Sequence, residues 1–505
     1  MDEASRARIR VFLNDPAARG ERPVSSDPPR ETERSPWAFH VQGREPQPRE
    51  YETDTSEFLH WQIESALARG RALWSRLLPK AGRWIPGDVL KAIPVDGRDL
   101  NAFYDRSALH FFRDVDAKTG AVVQSGDSPD VVTHEQGHAV LDSVRPDLWD
   151  APHFEVAAFH EAFGDVAAIL VALEEKELVG EVLEETAGLI DHSKLVSRLA
   201  EELGAAVVAK YGSGAALPDA LRDAVNAFRY RAPRSLPEDA PADDLSREPH
   251  SFSRVVTGVC WDVLVRLYAA ESRARATAAT EDRVASLGLA ARELGRLIAA
   301  AAVSAPSGAA FFRRFAGELA SAAAGATGER TAVTEALVSR SLLVSAGSAP
   351  RGRSESVAAM GFGAEPLPTR VLDSVRERLG APIDEEILVR GAPDGTLHGR
   401  RARDLFLSGA DYGPADGAAV EISDSFAVAV EESGFVTASR VERAGPEDEE
   451  DAREFVRALA RTGRITEDTS LDSSALYREG KSHVVRREAD GVRRLRRAWV
   501  AGEAR

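Results

Sequence analysis

Apolar positions recur at mostly helical spacing over residues 58–78, through Phe58, Ile63, Leu67, Leu73 and Leu77, and this spacing predicts a helix. Two short runs that follow, Val89-Leu-Lys-Ala-Ile-Pro-Val95 and Ala108-Leu-His-Phe-Phe112, read as strands. From residue 130 to 344 the period is almost wholly helical, with amphipathic runs at 130–143, 155–175, 251–270, 284–303 and 309–324. Beyond a Gly/Ser/Pro/Arg-rich stretch at 345–355 the period shifts toward two. Residues 419–422, 426–430 and 435–440 read as strands, the last two joined through a turn at 432–434. The acidic run Glu447-Asp-Glu-Glu-Asp451 precedes Phe455, Val456 and Leu459 and ends at Arg461 and Gly463, so it reads as a helix start favoured by the macrodipole. A hairpin is expected over 483–500 around Asp490-Gly491, with a cluster of arginines that reads as a solvated strand face.

Composition narrows the class. Residues 14–36 are dense in Pro, Arg, Glu and Asp, the make-up of a solvated arm. The 64 basic residues against 81 acidic ones leave a net charge of −17, which argues against nucleic acid or an anionic membrane as partner. One cysteine, Cys260, excludes an intrachain disulfide and a thiolate metal cluster. Met1 to Leu13 lacks the apolar run of a secretory signal, and the longest apolar stretch, around 297–305, is too short for a bilayer. A cytoplasmic protein is expected.

The chemistry is concentrated in Asp130-Val-Val-Thr-His134-Glu135-Gln-Gly-His138-Ala-Val-Leu-Asp142. Residues four apart share a helix face, so His134 and His138 can hold one Zn²⁺ while Glu135 points at the open coordination position. The next helix carries Phe159-His160-Glu161-Ala-Phe-Gly-Asp165, again with carboxylates four apart. Glu161 completes a His₂Glu set, and Asp165 and Asp142 are the carboxylates expected behind the ligand histidines. His160 competes with Glu161, but helix neighbours point about 100° apart, so the two are not expected to share the ion.

On these residues the chain resembles the thermolysin family of gluzincin metallopeptidases, over residues 85–345. Asn101-Ala102-Phe103-Tyr104 resembles the edge strand that holds the substrate backbone in that family, Leu221-Arg222 the arginine that binds a substrate carbonyl, and His250 in Pro249-His-Ser-Phe the transition-state histidine. The resemblance implies an α+β, two-lobed fold: a β-rich lobe over 37–129 and a helical zinc-binding lobe over 130–345. A disordered arm over 1–36, a linker at 346–355 and a small α/β accessory domain over 356–505 complete the expected organisation.

Several features depart from the family. His160 replaces its usual asparagine, and its substrate-binding tyrosine has no clear counterpart, Trp149 and His153 being the nearest candidates. Asp130 alone makes no calcium cage, so calcium is not expected. A metzincin would need a histidine where Val144 stands, the Gly-Xaa-Met-Glu-Asn signature of gluzincin aminopeptidases is absent, and Gly361 and Gly363 lack the third glycine of a dinucleotide loop.

The expected function is a zinc endopeptidase acting on proteins or peptides, with Glu135 as general base and His250 stabilising the oxyanion. Asn101, Ala102 and Arg222 would bind substrate, and Asp243 or Asp244 would orient His250. The alternative is a catalytically weak relative that uses residues 356–505 to bind a protein partner. The carboxy-terminal domain or the amino-terminal arm is a further candidate, as a cover for the cleft.

Overall fold

The computed structural model describes residues 7–18, 22–29, 37–79, 83–275, 280–323, 327–343, 373, 375–377, 381, 387–391, 396–430 and 436–501. The expected linker at 346–355 and the turn at 432–434 lie outside them. Strands β1 (Ile9–Val11) and β2 (Val24–Ser26) pair antiparallel, and Ile9, Val11 and Leu13 bury one face against Trp61. The amino-terminal stretch is therefore not a disordered arm where it is described. Three apolar residues at alternate positions are enough to dock a short strand on a helix.

Next come β3 (Ala38–Val41), α1 (Ser56–Leu77), β4 (Val89–Ile93), β5 (Ala102–Tyr104) and β6 (Ala108–Phe111). Thr55 caps α1 by accepting from the Phe58 N–H at 3.2 Å. In the sheet, β4 lies between β3 and β6 and runs parallel to both, while β5 is antiparallel to β6. A hairpin of β7 (Arg113–Val115) and β8 (Val122–Gln124) leads into α2 (Pro129–Val144) and α3 (Phe154–Ala172). All residues of α3 are buried, which explains why it is apolar on every face except where its chemistry sits.

After α4 (Lys176–Glu185), the pair β9 (Arg198–Leu199) and β10 (Arg222–Asp223) flanks α5 (Glu201–Tyr211). The helices α6 (Pro249–Arg275), α7 (Thr280–Ser304), α8 (Phe311–Ala322) and α9 (Thr327–Ser339) then close the main core. Among the described residues, no single helix is long and apolar enough to cross a membrane.

The carboxy-terminal region builds a second, seven-stranded sheet. Strands β11 (Leu388–Gly391), β12 (Thr396–Phe406) and β13 (Ala419–Val430) are antiparallel neighbours, with β14 (Val436–Glu442) also on β13. Helix α10 (Pro446–Arg461) precedes β15 (Ile465–Thr466) and α11 (Ser473–Arg478), and the hairpin of β16 (His483–Arg487) and β17 (Arg493–Arg497) completes the sheet. The arginine cluster is a solvated face only in part: Arg486 and Arg487 are exposed, whereas Arg494 and Arg496 are taken up in ion pairs. Arg494 meets Asp404 and Asp490 at 2.7 Å each, and Arg496 meets Glu488 at 2.9 Å and also pairs with Glu421.

Nor is this region a separate appendage. Phe154 and Ala157 belong to its core, and Phe103 and Phe112 pack with Leu476, Tyr477, Ala498 and Trp499. The last strand, β18 (Val500–Ala501), pairs antiparallel with β5 of the first sheet. The result is a mixed α and β architecture in which the two ends of the chain fold back on its middle.

Asp130, at the start of α2, has acidic company that its sequence neighbours do not reveal. Asp15, Asp130 and Glu201 each present one oxygen, all within 4.8 Å of one another. Asp15 reaches them because its other oxygen accepts the N–H groups of Ala17 and Glu202, both at 3.0 Å. Their spacing is one that could hold a metal ion. Burial pushes all three carboxyls up, with mutual repulsion adding to it at Asp130 and Glu201, and nearby Asp127 is raised to about 7 by burial first and by Asp15 second.

The folded chain thus keeps protons that the unfolded chain loses above about pH 4, and the group is stabilising below that pH. Its contribution is lost as pH rises through about 7 at Asp127 and Asp130 and about 10 at Glu201. Asp15→Asn is expected to flatten this decline, raising the denaturant midpoint at pH 8 more than at pH 5.

Candidate metal centre

Helices α2 and α3 touch through their smallest residues. A Cβ on Gly137 would stand 2.9 Å from the Ala167 Cβ and 3.0 Å from the Gly164 Cα, and one on Gly164 would stand 2.7 Å from the His134 ring. This contact lets short side chains on the two helices meet. His134 Nε2 lies 3.4 Å and His138 Nε2 3.8 Å from Glu161 Oε2, and the three ligand atoms fall within 4.8 Å of one another. All three side chains are buried, and none of the three atoms has a hydrogen-bond partner.

A tetrahedral zinc with bonds of about 2.0–2.2 Å separates its ligand atoms by about 3.3–3.6 Å. The shorter spacing lies inside that range and the longer one a few tenths of an ångström beyond it, so the donor set fits zinc. His160 is not in the cluster; its ring lies 6.0 Å from that of His138 and 6.2 Å from Trp149.

The outer nitrogen of His134 is held by a buried charge network. Asp165 Oδ1 stands 3.1 Å from His134 Nδ1, Arg222 binds Asp165 at 2.8 and 2.9 Å, and the Thr257 hydroxyl donates to its other oxygen at 3.2 Å. Burial alone would raise the Asp165 pKa, but Arg222 and His134 outweigh it and bring it to about 2. For His134, burial works downward and the neighbouring carboxylates of Asp165 and Glu161 override it, to about 9. His138, lowered by burial first and by His134 second, is a neutral imidazole ready to ligate.

His250, at the start of α6, turns Nε2 toward Glu161 Oε2 at 3.3 Å. Its Nδ1 is bound by Glu248 at 2.6 Å. The orienting carboxylate is thus Glu248 rather than Asp243 or Asp244, a near neighbour that the sequence offered two positions away. Burial lowers the His250 pKa, and Glu161 and Glu248 raise it past that, to about 9.

Beside the histidines lies a small cavity of about 20 Å³, walled by Val131, Leu199, Leu203 and Leu221 together with Ala102, Glu135 and Arg222. Glu135 is fully buried there. Arg222 lines this wall while bound to Asp165, so its charge is already engaged.

Three expectations are corrected. Asp142 does not stand behind His138, whose Nδ1 has no hydrogen-bond partner; it binds Arg106 at 2.6 and 2.9 Å and the Tyr104 hydroxyl at 3.2 Å. Asn101 is buried and turned to the carboxy-terminal region, its amide donating to the Tyr477 hydroxyl at 2.8 Å. Trp149 and His153 are likewise engaged there, Trp149 Nε1 by the Arg497 carbonyl at 3.1 Å and His153 Nδ1 by Asp451 at 3.0 Å. None of these contacts had a local signal: the partners of Asp142 lie 36 and 38 residues away, and those of Asn101, Trp149 and His153 about 300 or more. No family model matches the chain. No curated protein matches it either.

Two variants probe the site. Asp165→Asn should keep the fold and weaken zinc binding by about 10- to 100-fold, measured by competition with a chromophoric chelator. Gly164→Ala drives a methyl group into the His134 ring and should lower zinc affinity in the same assay, despite the better helix propensity of alanine.

Proposed function

We propose that this protein is a zinc-dependent endopeptidase with a thermolysin-like, two-lobed site. The observation that carries the reading is the convergence of three buried ligand atoms from His134, His138 and Glu161 beside a cavity lined by Glu135. When bound, zinc supplies Lewis acidity and an acidified water.

The chain's residues do the rest. Glu135 accepts a proton from the attacking water and passes it to the leaving amine. His250, oriented by Glu248, donates from Nε2 to the oxyanion as it forms. Asp165 and Arg222 keep the His134 ring in place. The apolar wall of Val131, Leu199, Leu203 and Leu221 takes an apolar substrate side chain and excludes water. Peptide or protein is the substrate class.

A second reading has one observation in its favour. The Asn101 side chain and the β5 backbone are engaged by carboxy-terminal residues, as expected of a weak or inactive relative that serves as a scaffold for a protein partner. Zinc analysis with hydrolysis of a diverse peptide library separates the two. The peptidase reading expects one zinc per chain and turnover that Glu135→Gln lowers by about 10²- to 10⁴-fold without loss of metal. His250→Ala should cost about 10²- to 10³-fold in turnover. Stoichiometric zinc with no cleavage of any library peptide would reject the peptidase in favour of the scaffold.

A further inference from the structure

A sheet edge beside a hydrolytic cavity offers unpaired N–H and C=O groups that an extended peptide can join as a new strand. In this protein the edge is β5: its first residue, Ala102, lines the cavity with His134 and Glu135. One side of β5 pairs with β6, and the other pairs with the chain's own last strand, Val500 opposite Tyr104 and Ala501 opposite Phe103.

The approach to that strand is anchored at several points. The Arg497 N–H donates to Asp150 at 2.8 Å and its carbonyl accepts from Trp149. Trp499 donates to the Lys481 carbonyl at 2.9 Å and packs on Tyr477 with ring centroids 5.2 Å apart. Tyr477 stacks on Phe103 at 4.6 Å and holds Asn101 and Asp99 through its hydroxyl. Val500 itself is buried in the main core.

We infer that Val500 and Ala501, tethered through Arg497 and Trp499, are a built-in ligand of the β5 edge, which holds the strand position of an extended peptide and restrains the site until it is displaced. This rests on the peptidase reading for the word restrain, but the occupancy can be tested without catalysis. Competition is direct, because each backbone group of β5 can serve only one strand at a time.

The probe is a fluorescent peptide with the sequence of residues 497–505. Its binding is followed by anisotropy to zinc-loaded Glu135→Gln protein, either full-length or ending at Trp499, with retained zinc stoichiometry and a single cooperative melt as the test of folding. The shortened chain should bind at least tenfold more tightly; equal affinity overturns the inference. Val500→Pro, which removes a backbone donor without shortening the chain, should shift affinity the same way.

Hydrogen exchange on the unaltered protein needs no variant. Of the opposed pairs Tyr104–Val500 and Phe103–Ala501, one exchanges both N–H···O bonds; the amides of that pair should be protected, and free exchange at both Val500 and Ala501 would overturn the inference equally. With Glu135 in place, hydrolysis of a library peptide should rise tenfold or more on truncation. Tighter peptide binding with no hydrolysis would reject the peptidase reading and leave the occupancy standing, whereas equal hydrolysis by both chains would keep the peptidase and reject the restraint.

Discussion

Glycines face each other where α2 crosses α3, and a single methyl group at either position would collide with a neighbour at less than 3 Å. The convergence of His134, His138 and Glu161 at the candidate metal centre follows from that approach. Histidine and glutamate side chains are short, so donors on two helices converge on one ion only when the backbones lie unusually close. The same proximity brings Asp165 behind His134 and lets Arg222 and Thr257 complete its hydrogen bonds. A helix pair spaced by larger residues would keep the motif and lose the site.

Close packing also forces the chain to bury charge, and it does so in two different ways. Asp165 is surrounded by a guanidinium, an imidazole and a hydroxyl, and it stays ionised with a pKa of about 2. The Asp15, Asp130 and Glu201 group, also at α2, has no comparable compensation, and burial with mutual repulsion drives its pKa values upward. Arg69 softens the repulsion at Asp130 but is shared with Glu175 at 3.6 Å. Pairing decides between the two outcomes, since a buried carboxylate is tolerable as an anion only where partners replace its lost hydration.

The carboxy-terminal region shows the reach of long-range packing. Its aromatic residue Tyr477 stacks on Phe103 of the first sheet and Trp499 packs on it at a tilt, its helix buries Phe455 against Phe154 at the start of α3, and its last described strand extends the sheet that borders the cavity. These contacts bind the rim of the candidate centre to residues from the far end of the chain. Stability and access at the site are therefore coupled through one set of interactions.

What the sequence alone determined was local. Helical periodicity located α1, α2, α3, α6, α7 and α8 to within a few residues, and the four-residue spacing of His134 and His138, repeated in Glu161 and Asp165, identified the side chains that converge, because a helix turns through just over one full revolution in four residues. The alternation at Ile9, Val11 and Leu13 was too short to stand out against the polar stretch after it. Only the tertiary structure decided that Asp142 serves Arg106 and Tyr104, that Glu248 and not Asp243 or Asp244 holds His250, and that Asn101 and the β5 edge belong to residues 477–501. Such pairings join positions as much as 398 residues apart, from Phe103 to Ala501. No period or motif encodes them, for they depend on where packing brings each backbone group and on which partner satisfies it there.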